Sequence, residues 1–117
     1  MKAFRVLLAV IFITIFIYTT VVVLNHGMGL LQIFFGDMAK MGWPGQFNFD
    51  FMCFLVLSAL WLSWRHQFSF IGVVLGLVAL FGGALFLSAY LFIESFRIEG
   101  DVKALLLGKV RANNLTS

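Results

Sequence analysis

Five side chains that could handle protons or ions fall near the ends of long apolar stretches in this chain. They supply an imidazole, two carboxylates, a phenol and a guanidinium: His26, Asp50, Tyr90, Glu94 and Arg97. If three stretches cross a membrane, His26 follows the first, Asp50 lies in the first turn of the second and Glu94 comes directly after the third. All three groups are then predicted to reach one membrane face. Ionisable groups in membrane helices often mark proton or ion pathways, so this cluster is a candidate proton or cation site.

Each of these side chains also has a local explanation that needs no function. Asp50 would lie in the first turn of a helix, where the positive end of the helix dipole favours a carboxylate. Glu94 and Arg97 are three residues apart and can pair on one helix face. His26 would lie among lipid headgroups, and His66 would be a solvated turn residue. The sequence leaves ion handling and simple interfacial placement both open.

The sequence carries none of the usual signatures of an enzyme. It has no nucleophile–base pattern, phosphate-binding loop or dinucleotide fingerprint, so neither a catalytic residue nor a cofactor is predicted. A lone cysteine, Cys53, and the lack of paired histidine spacing predict no metal centre. The net charge of +3 is small and scattered, which argues against nucleic-acid binding.

The elements that would position these groups are membrane helices. The chain has 117 residues, of which 62% are hydrophobic and 11% charged, whereas soluble domains carry about 25% charged residues. A bilayer crossing needs about 20 apolar residues. We therefore predict one all-α membrane domain over residues 1–117, with transmembrane helices at about 4–24, 47–64 and 68–93. The first is expected to be retained, because no small-residue cleavage site follows it.

Shorter elements are predicted around these three spans. Residues 29–41 place apolar side chains on one side of a helix and polar ones on the other, which predicts an amphipathic helix along the membrane interface. Residues 94–117 are predicted to form a helical tail. Tryptophans are common at headgroup level. The interface anchors predicted on that basis are Trp43, Trp61 and Trp64.

A stripe of small residues runs along the third span. Its members, spaced at i, i+4, i+7 and i+11, are Gly72, Gly76, Ala79 and Gly83. Small side chains let another helix approach closely, which matters in lipid because no hydrophobic force holds helices together there. The stripe predicts helix packing, and its partner could be span one, span two or another chain.

A resemblance supports the membrane class. The chain combines a tryptophan–proline pair, an acidic helix start and an aromatic–basic helix end at Trp43, Pro44, Asp50, Leu60, Trp61, Trp64 and Arg65. This pattern over residues 43–66 resembles small uncharacterised bacterial inner-membrane families of about three helices. The resemblance implies a bacterial inner-membrane protein and no particular activity. The basic residues flanking the first span favour the N-terminus inside and the C-terminus outside, whereas the larger number of basic residues on the other side favours the reverse. Those on the other side are Lys40, Arg97, Lys103, Lys109 and Arg111.

Three functions are compatible with these features. The first is a small accessory or structural subunit of a larger membrane complex, or of a homo-oligomer, that packs through the glycine stripe. The second is an oligomeric proton or cation channel or transporter that uses the polar cluster. The third is a lipid-binding protein that uses the amphipathic helix and the basic tail. The expected partners are membrane lipids and other transmembrane helices.

Overall fold

The chain folds into six helices and no strand over residues 1–116, the part that the structure, a computed structural model, describes. In chain order the helices are α1 (Lys2–His26), α2 (Leu30–Ala39), α3 (Trp43–Arg65), α4 (Phe70–Arg97), α5 (Val102–Leu107) and α6 (Lys109–Thr116). Three of them, α1, α3 and α4, are long and apolar enough to cross a membrane. The predicted all-α class with three such helices is confirmed.

The longest helix, α4, folds back on itself at Gly83. This residue has φ 60° and ψ −145°, a combination that essentially only glycine adopts. Gly72 before the break and Tyr90 after it both lie at His66. A Cβ added to Gly72 would be 2.7 Å from His66 Cβ, and Tyr90 Oη is 2.5 Å from His66 Nε2. In a straight helix Gly72 and Tyr90 would be about 27 Å apart, so α4 is a hairpin with limbs 70–82 and 84–97.

The break at Gly83 shows that the predicted third span over 68–93 is not one straight helix, although α4 as a whole is long and apolar enough to cross a membrane. Each limb is only about 20 Å long, whereas the hydrocarbon core of a bilayer is about 30 Å thick. The physical reason is the adjacent pair Gly82 and Gly83, because glycine lets the backbone leave the helical region without a steric penalty. The second limb therefore returns to the end of the molecule at which the first limb began.

The predicted glycine stripe packs against α3 of the same chain. Gly72, Gly76 and Ala79 are buried along the first limb. A Cβ added to Gly76 would lie 2.9 Å from the Ala59 carbonyl oxygen and would also clash with Ser63 Oγ. Ser63 Oγ in turn donates a hydrogen bond to the Gly72 carbonyl oxygen, 3.1 Å away. The partner of the stripe is thus span two, one of the candidates that the sequence left open.

The start of α1 lies along the second limb of α4. Leu8 is buried there, and Arg5 anchors the contact through Ser95. Arg5 Nε donates to Ser95 Oγ at 3.0 Å, and Nη2 donates to the Ser95 carbonyl oxygen at 2.9 Å. The guanidinium also lies 3.9 Å from the centre of the Phe96 ring, a cation–π contact. Most side chains of residues 16–26 are exposed.

Helix α2 turns back along the first half of α3. Asn48 Nδ2 donates to the Phe34 carbonyl oxygen at 3.1 Å. Gly45 is buried directly against the backbone of Asp37 and Met38, where a Cβ would not fit. A helix within residues 29–41 is therefore present and packed on α3. Its placement along the membrane interface stays a prediction.

The tail folds onto the same end of the molecule as the start of α1. After α4 the backbone turns through Glu99 and Gly100, both with positive φ. Met1 and Phe4 then pack against an apolar cluster of the tail. The buried members of this cluster are Ile98, Ala104, Leu105 and Ala112. The start of α1 and the tail therefore lie at the same end of the molecule, whereas the predicted orientation with the N-terminus inside and the C-terminus outside stays a prediction.

Candidate functional site

A buried arginine, Arg65, organises the end of the molecule where α3, the second limb of α4 and the tail meet. Arg65 is 7% exposed. Its Nη1 donates to Tyr90 Oη at 2.8 Å, and its Nη2 donates to Glu94 Oε2 at 3.1 Å. Its Nε donates to the Leu105 carbonyl oxygen at 2.7 Å, and Nη2 also reaches the Ala104 carbonyl oxygen at 3.2 Å. The rigid guanidinium fork thus joins the hairpin to the tail.

The carboxylate of Glu94 lies between two arginines. One oxygen accepts from Arg65, and Oε1 accepts from Arg97 Nη1 at 2.9 Å. The Glu94 side chain is 8% exposed, whereas the Arg97 side chain is 67% exposed. A buried carboxylate is tolerated when it is paired and hydrogen-bonded, and both oxygens of Glu94 are paired. The bond to Arg97 contributes less than the bond to Arg65, because water and salt screen an exposed charge.

His66 joins this group through Tyr90. Burial first, and the neighbouring positive charge of Arg65 second, lower the pKa of His66 below its ordinary value of 6.5. A neutral imidazole can accept at Nε2 the hydroxyl proton of Tyr90, since Tyr90 Oη already accepts from Arg65. We name the group the Arg65 cluster. It consists of Arg65, His66, Tyr90, Glu94 and Arg97.

The lowered pKa of His66 predicts that the fold weakens as the pH falls through 6.5. A histidine whose pKa is lower in the folded state binds protons more readily when unfolded. The contribution of neutral His66 to the free energy of unfolding is therefore complete above pH 6.5 and is lost as the pH falls towards the folded-state pKa. Resistance to denaturing detergent should drop between about pH 7.5 and 5.5 in the wild type. His66→Gln should flatten that slope, and an equal slope in both proteins would contradict the assignment.

Side chains of α3 also cap the end of α5. A helix leaves the carbonyl groups of its last turn without helical partners. Arg65 binds the carbonyl oxygens of Ala104 and Leu105, and Trp61 Nε1 donates to that of Leu106 at 3.1 Å. Three consecutive carbonyl groups of the tail are thereby held by α3.

Two of the three tryptophans predicted as interface anchors contact the tail. Trp61 makes the bond just described, and the Arg111 guanidinium lies 4.0 Å from the centre of the Trp64 ring. Arg111 also donates to the Trp64 carbonyl oxygen. Trp43 is 73% exposed at the start of α3, beside Phe47. Anchoring at headgroup level stays a prediction for all three.

Three of the five residues predicted to form an ion site belong to the Arg65 cluster, and two do not. Asp50 is exposed and lies about 22 Å from Arg65 along α3. His26 is exposed at the far end of α1. The predicted meeting of His26, Asp50 and Glu94 at one membrane face does not occur, because the fold-back carries Glu94 to the opposite end.

The resemblance of residues 43–66 to small bacterial inner-membrane families rests on motifs that are common in membrane proteins. No family model, curated protein or solved structure matches this chain. Membership of such a family stays a hypothesis, and no residue role is carried over from it.

Sequence reasoning misses Arg65 and His66, which it treats as a charged flank and a solvated turn. The available signal is indirect. The stretch 68–93 is longer than one crossing needs, and Gly82 and Gly83 divide it near the middle. A fold-back there would place Glu94 beside Arg65, where opposite charges can pair.

Proposed function

We propose that this is an integral membrane protein with the start of α1 and the tail on the cytoplasmic side. Cytoplasmic segments of membrane proteins carry an excess of lysine and arginine. Seven of the eight such residues fall at the end that carries the Arg65 cluster, and Lys40, just after α2, is the exception. The seven are Lys2, Arg5, Arg65, Arg97, Lys103, Lys109 and Arg111. Because α4 folds back at Gly83, basic residues that are scattered along the sequence lie mostly at one end of the molecule.

We propose further that the protein is a small accessory or structural subunit of a larger membrane assembly, either with other proteins or with copies of itself. The observation that carries this proposal is the uncovered tip of the α4 hairpin. Phe81 is 81% exposed and Gly82 is exposed at the tip. Phe51 and Leu55 cover Gly83 from the α3 side. The tip lies about 20 Å from the start of the limb, within the depth of a hydrocarbon core.

A helix break at that depth is costly when lipid surrounds it. Each helix end leaves about four backbone groups without helical partners, and each unsatisfied group costs several kcal/mol in hydrocarbon. Non-helical backbone at membrane depth is tolerated where protein buries it or where it lines a wet cavity. A helix of a second chain over the tip would provide that cover.

The proposed assembly surface differs from the one expected from the sequence. The glycine stripe is covered by α3 of the same chain and is not available to a partner. The surface that we propose for assembly is the hairpin tip together with an adjoining apolar hollow of about 650 Å³ between α2, α3 and the first limb. Phe34, Phe51 and Phe81 are among its lining residues. A hollow of this kind suits an apolar helix.

The proton or cation conductor has less support from the geometry. Asp50 and His26 lie far from Glu94, and both oxygens of Glu94 are ion-paired. The subunit role is therefore the function that we favour.

Phe81→Ala is expected to weaken the assembly without unfolding the protein. Its side chain is mostly uncovered by its own chain, so truncation should cost the isolated fold little. The same truncation would remove an aromatic contact with a neighbouring chain, and such contacts dominate interface energies. Native mass spectrometry of gently extracted protein should show the wild type in a complex of fixed composition, and the variant with a larger monomer fraction.

Phe54→Ala is the matched control. Phe54 is 65% exposed on α3, and it lies about 16 Å from Arg65, at a depth similar to that of Phe81. This variant should leave the complex intact. A wild type that is monomeric in every gentle extraction, or two variants that dissociate equally, would argue against the proposal.

A further inference from the structure

A basic pocket lies between the end of α3, the end of α4 and the junction of α5 with α6. Its volume is about 270 Å³. The lining carries four cations and one carboxylate, a net charge of +3 with His66 neutral. The cations are Arg65, Arg97, Lys109 and Arg111, and the carboxylate is Glu94.

The carboxylate leaves most of this positive charge unbalanced. Glu94 already shares its two oxygens between Arg65 and Arg97, at 3.1 and 2.9 Å. No other aspartate or glutamate of residues 1–116 lines the pocket. The side chain of Arg97 is largely exposed and Lys109 is exposed, so both can reach an incoming anion.

The pocket is a built feature of the fold. Gly108 has φ 86°, and a Cβ added there would be 2.7 Å from the Arg65 carbonyl oxygen, so the α5–α6 junction is seated directly on α3. The Arg111 guanidinium lies against the Trp64 ring and donates a hydrogen bond to the Trp64 carbonyl oxygen. Side chains held in place before binding lose less conformational freedom when a ligand arrives.

We propose that this pocket binds a phosphate-bearing anion, and that in the membrane the occupant is the headgroup phosphate of an anionic phospholipid. Arginine matches phosphate oxygens with paired N–H groups, and lysine adds a point charge. The pocket lies where α3, a helix of membrane-crossing length, ends. This is the level of the headgroups, where basic residues attract anionic lipid. The proposal rests on membrane insertion as proposed above and is independent of assembly.

Lipid titration of the detergent-solubilised protein tests the proposal. Delipidated wild type in a non-ionic detergent is titrated with phosphatidylglycerol or with phosphatidylcholine, and native mass spectrometry counts the bound lipid. One phosphatidylglycerol should bind at least about tenfold more tightly than phosphatidylcholine, whose phosphate is balanced by choline. Lys109→Gln should weaken phosphatidylglycerol binding about tenfold, because one charge-assisted hydrogen bond to phosphate is lost.

Lys103→Gln is the matched control. It removes the same charge from the same tail, but Lys103 does not line the pocket. The affinity should change by less than about twofold, since an exposed charge outside the site is screened by salt. Equal losses from the two variants would mean that diffuse surface charge attracts the lipid, and equal binding of the two lipids would mean that the headgroup charge is not recognised. Either result would overturn the lipid headgroup as the occupant.

Inorganic phosphate separates a lipid from a soluble source of the same chemistry. Tight phosphatidylglycerol binding with little calorimetric response to phosphate supports the lipid headgroup. Phosphate binding that Lys109→Gln abolishes, without any lipid preference, would keep the phosphate site and overturn the lipid as its occupant. The same mass spectra report the assembly state, so failure of the lipid site and failure of the proposed assembly are separate observations.

Discussion

Replacing Arg65 by methionine should cost the fold about 3–5 kcal/mol, the largest effect expected from any single substitution in this chain. The change would leave the Glu94 carboxylate and the Tyr90 hydroxyl buried beside an apolar group. The Leu105 carbonyl oxygen would lose the Arg65 donor as well, and the Ala104 carbonyl oxygen would keep only the Gly108 N–H. Methionine keeps much of the apolar stem, so the loss reports on the guanidinium. Unfolding in mixtures of mild and denaturing detergent, followed by circular dichroism, measures it.

Two further variants locate the effect within the Arg65 cluster. Arg97→Gln removes the exposed partner of the same carboxylate and should cost less than about 1 kcal/mol. Arg65→Lys keeps the charge but lacks the planar fork that reaches four acceptors, so its cost should fall between the other two. Near-equal costs for Arg65→Met and Arg97→Gln would contradict the central position of Arg65.

Gly83→Ala is expected to move the tail to the opposite side of the membrane in part of the population. The backbone conformation of Gly83 is essentially closed to residues with a Cβ, and such strain costs about 1–3 kcal/mol. The added Cβ would also lie 3.3 Å from the Phe51 ring. A straight α4 of 28 residues avoids both penalties, and at about 42 Å it is long enough to cross the bilayer.

A reporter fused to the C-terminus, active on one side of the membrane only, measures this change. The matched control is Gly36→Ala, the same substitution in α2 at a position with no atom within 4 Å of the added Cβ. This control should keep the wild-type location. Adding Arg65→Met to Gly83→Ala should increase the relocated fraction, because the second limb then loses its main attachment. A Gly83→Ala protein with wild-type location and stability would refute the role of Gly83.

Hydropathy predicts the helical class because a bilayer offers the backbone no hydrogen-bond partners, so each long apolar segment must satisfy its own groups. The small-residue stripe can also be predicted from the sequence, because in lipid a small residue such as Gly76 indicates that another helix approaches closely. The sequence does not predict which helix packs on the stripe, because α3 and a helix of a neighbouring chain present similar apolar faces. The structure resolves that choice in favour of α3.

The fold-back is invisible to hydropathy because residues 70–82 and the apolar part of 84–97 have the same character. A pair of glycines permits a break in the helix but does not require one. The Arg65 cluster depends on that break, since Arg65 and Glu94 are 29 residues apart in sequence, and a straight third span would separate them by a full crossing. For this reason the two residues could not be paired from local patterns, and His26 and Asp50 were the wrong neighbours for Glu94.

The 40 residues that separate Arg65 from Leu105 impose an order on the biogenesis of this protein. At about 5–20 residues per second, Leu105 is synthesised about 2–8 s after Arg65. Tyr90 and Glu94 are synthesised earlier, but during that interval the Leu105 carbonyl group that accepts from Arg65 Nε does not yet exist, so the guanidinium lacks its full set of acceptors. The contacts between the hairpin and the tail can form only when nearly the whole chain has been synthesised. Assembly of this end of the molecule is therefore a late event, and a chain that stops before Ala104 would leave Arg65 without its two carbonyl acceptors in the tail.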